Sequence, residues 1–273
     1  MRQASHSLAA ILISLLLGFV LCGAIHPAAA QPADELVARG KSLVLAGNCG
    51  GCHTADPAKP LAGGKRIETR FGTFYTPNLT PDLETGLRSW RDDQFMRALR
   101  EGVAPDGSRY YPAFPYPYFT RLVRDDILAI RAYLATLDPV HNKEQPPALR
   151  FPFNFRIVMR LWNWLYLQPG ILMPDQAKGV EWNRGRYLVE GLGNCGRCHA
   201  PKGWLGGDKG PPAFASWVGN SGPDQIADYL RGGRHAGGEA GPVMREIIND
   251  STSKMSDRDR RSIGVYMKSL ASP

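Results

Sequence analysis

The sequence predicts an all-α fold made of two tandem copies of one helical unit, and three observations carry that prediction. Two long stretches of the 273-residue chain repeat one another, their apolar residues recur at helical spacing, and nothing comparable alternates with period two. In the first half Arg39-Gly40-Lys41-Ser42-Leu43-Val44 leads to Asn48-Cys49-Gly50-Gly51-Cys52-His53. In the second, Arg184-Gly185-Arg186-Tyr187-Leu188-Val189 leads to Asn194-Cys195-Gly196-Arg197-Cys198-His199, with one residue of slippage between the leaders. Farther on, Phe95–Arg100 corresponds to Ile226–Arg231, and Ile130–Leu137 to Ile263–Leu270.

In chain order, the first thirty residues read as an export signal. Arg2 and His6 give a weakly basic start, an apolar run extends from Leu8 to Ile25, and Ala28-Ala29-Ala30 offers small residues for cleavage before Gln31. The run is also about long enough to span a bilayer, so an uncleaved anchor is the alternative. Val20-Leu21 ahead of Cys22 lack the small residues of a lipid-attachment site, and Cys22 leaves with the signal.

The first unit occupies residues 31–140. Its opening helix holds Gly40, its middle helix follows Ser89-Trp90-Arg91-Asp92, and its closing helix shows Ile127, Ile130, Leu134 and Leu137 on one face. The second unit, 176–273, repeats the plan with Gly185 and with Ser256-Asp257-Arg258-Asp259 before its closing helix. Both Ser-x-x-Asp stretches have the form that satisfies free amides at a helix start. Glycine lowers helix propensity, so Gly40 and Gly185 imply close crossing of the opening and closing helices, with Tyr133 and Tyr266 filling the crossing.

Between the units, residues 141–175 begin as a polar, proline-bearing linker and then turn apolar, from Phe151-Pro152-Phe153-Asn154-Phe155 through Ile157, Leu161, Trp162, Trp164 and Leu165. Such a stretch must be covered, either by packing along the two units or by a membrane or enzyme subunit. The net charge of +8, or +7 without Arg2, suits mild steering toward a partner and excludes a strongly basic nucleic-acid binder.

The chemistry resides in Cys49-Gly50-Gly51-Cys52-His53 and Cys195-Gly196-Arg197-Cys198-His199. Covalent haem attachment needs two thiols on one turn to bond the vinyl groups, and a histidine directly after the second to reach the iron. Both motifs meet that demand in full, which predicts two haem c groups held by Cys49, Cys52, Cys195 and Cys198, with His53 and His199 on the irons. A shared zinc site is disfavoured because each pair occupies the same place in its own unit, and a thioredoxin-like pair would need βαβ surroundings.

For the sixth iron ligand the second unit offers Met244, in the loop-like stretch Gly241-Pro242-Val243-Met244, with Met255 as the alternative. The corresponding stretch of the first unit, Tyr110-Tyr111-Pro112-Ala113-Phe114-Pro115-Tyr116, has no Met, His or Lys. Met96, Met159 and His141 lie elsewhere in the helices or linker, which leaves the first haem five-coordinate or served by a remote ligand.

Three longer stretches add a resemblance: Phe71-Gly72-Thr73-Phe74-Tyr75-Thr76-Pro77-Asn78-Leu79-Thr80-Pro81-Asp82, Tyr111–Tyr116, and Glu181-Trp182-Asn183 through Gly193. In these the chain resembles the cytochrome c subunits of periplasmic alcohol, aldehyde and gluconate dehydrogenases. The resemblance implies two class I cytochrome c domains joined by the apolar segment, a periplasmic location with membrane association, and electron transfer without substrate chemistry of its own. The implied donor is a periplasmic dehydrogenase subunit, and the implied acceptor is quinone, another cytochrome or an oxidase. Many relatives have three haem units where this chain has two. Alcohol dehydrogenase members of the family commonly carry Met, the distal ligand, where Phe114 stands, whereas Met244-Arg245-Glu246-Ile247-Ile248 matches the family's distal-ligand segment. A dihaem peroxidase with an open first iron, or a carrier serving a terminal oxidase, is the rival reading.

Overall fold

A computed structural model describes residues 32–69, 71–203, 207–210 and 212–271. The expected signal segment, 1–30 with Cys22, lies outside the described residues.

The first repeat opens with α1, Ala33–Ala46, followed by the short α2, Cys49–His53, its middle helix α3, Asp92–Glu101, the turn α4, Tyr116–Phe119, and the closing helix α5, Arg124–Leu134. The apolar segment forms α6, Ile157–Tyr166. The second repeat comprises α7, Val180–Tyr187, then α8, Gly196–His199, α9, Ser216–Asn220, the middle helix α10, Pro223–Gly232, then α11, Pro242–Asp250, and the closing helix α12, Asp257–Ala271.

The expected close crossing is present in both repeats, and to the same tolerance. A Cβ added at Gly40 would stand 1.9 Å from the Ala129 carbonyl oxygen and 2.8 Å from Cβ of Tyr133; at Gly185 it would stand 1.9 Å from that of Ser262 and 2.8 Å from Cβ of Tyr266. Beside each glycine an arginine spans the same two helices: Arg39 donates Nε–H to Asp126 at 2.8 Å, and Arg184 to Asp259 at 2.8 Å. The middle helices also repeat. Phe95, Ala98 and Leu99 are buried on α3, Ile226, Ala227 and Leu230 on α10. Each helix stops at a glycine in the left-handed region, Gly102 at φ 63° and Gly233 at φ 76°, where a Cβ would be strained.

The one-residue slippage has a structural cause. Residues Leu188–Leu192 continue α7 as a single π-helical turn, which absorbs the extra residue before the second cysteine motif. The first repeat has no such turn between α1 and α2. The start signals divide: Ser256 Oγ accepts from the Asp259 amide and caps α12 as expected, whereas α3 is capped by Gln94, whose Oε1 accepts from the Arg91 amide, and not by Ser89.

The helical class expected from the sequence holds, with a small sheet added. The fold is mostly helical, but β1, Arg66–Thr69, and β2, Gly72–Tyr75, form an antiparallel hairpin, to which β3, Ala148–Leu149, adds a third strand. Ile67 pairs with Phe74 and Thr73 with Ala148. Four-residue strands are too brief for a period-two pattern to emerge against longer helices. At Gly72 a side chain would meet the Ala148 carbonyl at 2.3 Å, so glycine admits the third strand. Two more short strands, β4 (Arg234–His235) and β5 (Gly238–Glu239), pair in the second repeat.

The repeats do not close over separate cores. One cluster runs from Leu43, Phe95, Leu122 and Ile127 of the first into Leu188, Leu192, Ile226, Ile263 and Tyr266 of the second. At their contact Tyr187 donates its hydroxyl to Asp126 at 2.6 Å, Arg121 donates to the Glu190 carbonyl at 2.8 Å, and Ser251 donates to the Leu45 carbonyl at 2.8 Å. Helix α6 buries Met159 and Trp162 against Tyr111 and Tyr116, and Tyr116 donates to Asn163 Oδ1 at 2.5 Å.

Gly185→Ala is expected to cost about 1–3 kcal/mol, because a backbone carbonyl must yield to the new methyl group. A lowered urea midpoint would show this. Gly232→Ala, where nothing lies within 4 Å, is expected to leave stability unchanged or to raise it by about 0.5–1 kcal/mol.

Candidate haem-binding site

The two cysteine motifs occupy equivalent turns. Asn48 and Asn194, immediately before them, both adopt left-handed backbone, at φ 51° and 42°, which only Asn, Asp and Gly tolerate readily. That reversal ends the opening helix and starts the motif turn. Cys49, Cys52 and His53 then stand together on α2, and Cys198 and His199 on α8 directly after Cys195. None of these cysteines is in a disulfide.

Burial pushes the thiols of Cys49 and Cys195 up to about 12, the neighbouring cysteine of each motif adding to the effect. They stay neutral, apolar thiols near pH 7. Both histidines are held below their ordinary value, chiefly by burial, and are therefore neutral imidazoles near pH 7.

The tautomer follows from the partners. His53 Nδ1 lies 2.8 Å from the Pro77 carbonyl, which can only accept, so Nδ1 carries the proton and the Nε2 lone pair is free for a metal. The His199 ring lies 5.0 Å from that of Phe214, and the Ala213 backbone partly offsets the effect of its burial. The Pro77 carbonyl thus sets the orientation of the His53 imidazole.

These residues fit haem c. Two thiols outside any disulfide and a neutral imidazole share one turn, twice, and at His53 the free lone pair is oriented. Next to the second motif a cleft of about 700 Å³ runs from Pro112, Tyr118 and Arg121 to Gly196, Arg197 and Lys202, with Trp162 and Tyr166 of α6 along one side. Its size is that of sites for organic prosthetic groups, and Arg121, Arg197, Lys202 and Lys209 line it beside Glu190 and Asp208. Cys49, Cys52 and His53 would hold one haem, and Cys195, Cys198 and His199 the other.

Met244 is placed differently from expectation. It lies in the first turn of α11 rather than in a loop, half-buried against the shared core. Helix α11 packs on α10 of its own repeat and also against α2, the motif helix of the other. Phe114 is locked among aromatic rings, 5.4 Å from Tyr110, 5.8 Å from Phe119 and 6.4 Å from Tyr116. Met255 is buried in the core, and His141 sits at the surface beside Asp82 and Glu84.

Two lysines escaped sequence reasoning. Lys65 Nζ donates to the Gly51 carbonyl at 2.7 Å, and Lys202 Nζ to the Gly196 carbonyl at 2.8 Å, so each motif turn has a carbonyl held by an ammonium. They follow their motifs at unequal spacing, which hides the equivalence. Each also reaches the opposite repeat: Lys65 pairs with Glu246 of α11 at 3.0 Å, and Lys202 pairs with Asp208, which accepts from Tyr118 of α4.

Comparison with known proteins agrees with this geometry. The profile of the cytochrome c family matches residues 37–138, the first repeat. A dihaem cytochrome c-type protein of Cereibacter sphaeroides is 37% identical over 259 residues, which cover 84% of this chain and 84% of that one. With a fold of crossing helices and a repeated Cys-x-x-Cys-His turn, the chain belongs to the cytochrome c family, and its cofactor is covalently bound haem c. A polypeptide of the nicotinate dehydrogenase of Pseudomonas putida is 38% identical over 86% of this chain, which spans only 21% of that protein. The cytochrome c subunit of the quinone alcohol dehydrogenase of Gluconobacter oxydans is 34% identical, and this chain spans 57% of its length.

Gly51→Ala tests the first motif turn, since a methyl group there would stand 2.4–2.8 Å from atoms of the Asn48 side chain. The substitution is expected to cost about 1–2 kcal/mol. Adding Asn48→Gly, which removes that side chain and suits the left-handed backbone, should restore most of the urea midpoint.

Proposed function

We propose that this chain is a dihaem electron carrier of the exported compartment, built as two class I cytochrome c domains, 31–140 and 176–273, around the apolar segment 141–175. It would take electrons from a dehydrogenase subunit and pass them to quinone or another cytochrome. The observation that carries the proposal is the repeated motif turn, in which two thiols and a neutral imidazole recur in both halves. The dehydrogenase names of the relatives support the donor class, and the export signal supports a periplasmic, membrane-associated location.

Haem c supplies a ferrous/ferric couple, and the chain supplies everything that tunes it. Cys49, Cys52, Cys195 and Cys198 fix the two groups covalently. His53 would keep Nδ1 protonated against the Pro77 carbonyl and offer its other nitrogen to iron, and His199, neutral as well, would hold the second iron. Met244 would serve the iron of the second haem, where a thioether favours the reduced state and raises the potential. The rigid shared core keeps these ligands in place through both oxidation states. No group in this arrangement is offered as a general acid or base for substrate chemistry.

Phe114 favours a second reading for the first haem. Its ring brings no ligating atom to a stretch where relatives of the resembled family carry Met, so the first iron would stay open, as a peroxidase requires.

The test combines mass and redox measurements on the exported protein. Intact mass should show a chain beginning at Gln31 with two haem groups added, and a redox titration should resolve two one-electron steps. Met244→Leu should lower one potential and convert one haem to a high-spin spectrum. A preparation with a single haem, or a Met244→Leu variant with both steps unchanged, contradicts the assignment. Rapid peroxide-dependent oxidation of a reduced donor would replace the carrier by the peroxidase.

A further inference from the structure

Helix α6 has an unusual distribution of polarity. Its inward side carries Met159 and Trp162 together with Asn163, which serves as the acceptor for Tyr116. Its outward side carries Ile157, Leu161, Trp164 and Leu165, at 65%, 53%, 80% and 48% exposure. These positions fall on one stripe of the helix, at i, i+4, i+7 and i+8. Just before it, Phe151 and Phe155, 80% and 53% exposed, stack edge to face at 6.1 Å. A soluble chain seldom leaves so many large apolar side chains contiguous unless something covers them.

Charge narrows the choice of cover. From Gln145 to Pro174 the chain has three arginines, Arg150, Arg156 and Arg160, and no Asp or Glu. Arg156 is tied down, donating to the Arg109 carbonyl at 3.0 Å and lying over the Tyr111 ring. Arg150 and Arg160 are exposed and, among the described residues, have no ion-pair partner. Between Phe151 and Leu165 the exposed polar side chains are Asn154 and arginine alone. A protein partner would be met by a surface nearly devoid of hydrogen-bonding groups. A lipid surface needs only what is here: apolar rings to enter the headgroup layer, a tryptophan at the interface, and arginines whose stems lie along apolar surface while their guanidinium groups stay with phosphate. Ten residues of helix span about 15 Å, half the hydrocarbon thickness, so α6 would lie flat rather than cross. No helix among the described residues is long and apolar enough to cross a membrane.

We infer that the outward face of α6, with Phe151 and Phe155, is a peripheral docking surface for anionic phospholipid. The inference rests on the exported location proposed above and gives the membrane association of that reading a specific face. It places the protein at the bilayer surface with α6 down, where a lipid-soluble electron acceptor would be met by diffusion in two dimensions.

The experiment is sedimentation of the holoprotein with vesicles of phosphatidylcholine alone or with phosphatidylglycerol added, at two ionic strengths. Binding should be at least tenfold tighter to the anionic vesicles at low salt, and lipids brominated in the upper acyl chain should quench a tryptophan signal that Trp164→Phe removes. Leu161→Ser with Trp164→Ser should reduce binding at least tenfold, and Arg160→Gln should remove much of the preference for anionic lipid. Because these side chains are exposed, the variants should keep their haem spectra and urea midpoints. Equal sedimentation of variant and parent, absence of binding to either vesicle, or a lipid-free dimer that the double variant abolishes would each overturn the inference. Haem content measured on the same samples separates the readings: haem lost from the parent counts against the carrier, whereas intact haem without vesicle binding counts against this face alone.

Discussion

Backbone meets backbone where the opening and closing helices cross, and the remaining structure is arranged around that contact. At Gly40 and Gly185 the space for a Cβ is taken by a carbonyl oxygen of the facing helix. Beside each glycine an Arg–Asp pair fixes the register, Arg39 with Asp126 and Arg184 with Asp259. Each aspartate is well covered, and its arginine is more exposed than it is. Such pairs add direction more than stability. With the opening helix pinned along its length, its last turn has one place to end, and the asparagine in left-handed conformation sends the chain into the motif turn from there. The position of the cysteines and histidine follows from a contact several turns away.

Much of this is legible in the chain. Arg-Gly before each motif, the tyrosine four residues beyond the crossing point in each closing helix, and the S-x-x-D start of α12 are readable because their physics is local and periodic. The slippage of one residue is visible as a number, and its resolution as a π-helical turn requires the backbone. What stays hidden depends on distant partners. Nothing in the spacing of Pro77 marks it as the acceptor for His53. Lys65 and Lys202 perform one task from unequal distances along the chain. Gly241-Pro242 ahead of Met244 suggests a loop, yet Pro242 is at the first position of α11, where a helix tolerates it well. The short strands are invisible because four residues cannot outweigh the helical periodicity around them.

The apolar segment between the repeats shows the limit of pattern reading from another side. Its composition demands burial, and half of it is buried, by Tyr111 and Tyr116 through α6. The sequence has equally large apolar residues on both sides of that helix, so only the fold distinguishes the covered side from the bare one.

The lysine contacts have a consequence for how the molecule can change. Each ammonium grips its own motif turn and, through Glu246 or through Asp208 and Tyr118, the opposite repeat. The halves therefore hold each other's attachment sites, although they look like a simple duplication when their sequences are aligned. A half borrowed from a relative would arrive without its counterpart's handhold, and a half expressed alone would leave its motif turn gripped from one side. The two motif turns therefore depend on one another's repeat for their support, and neither half is a free-standing module in this respect.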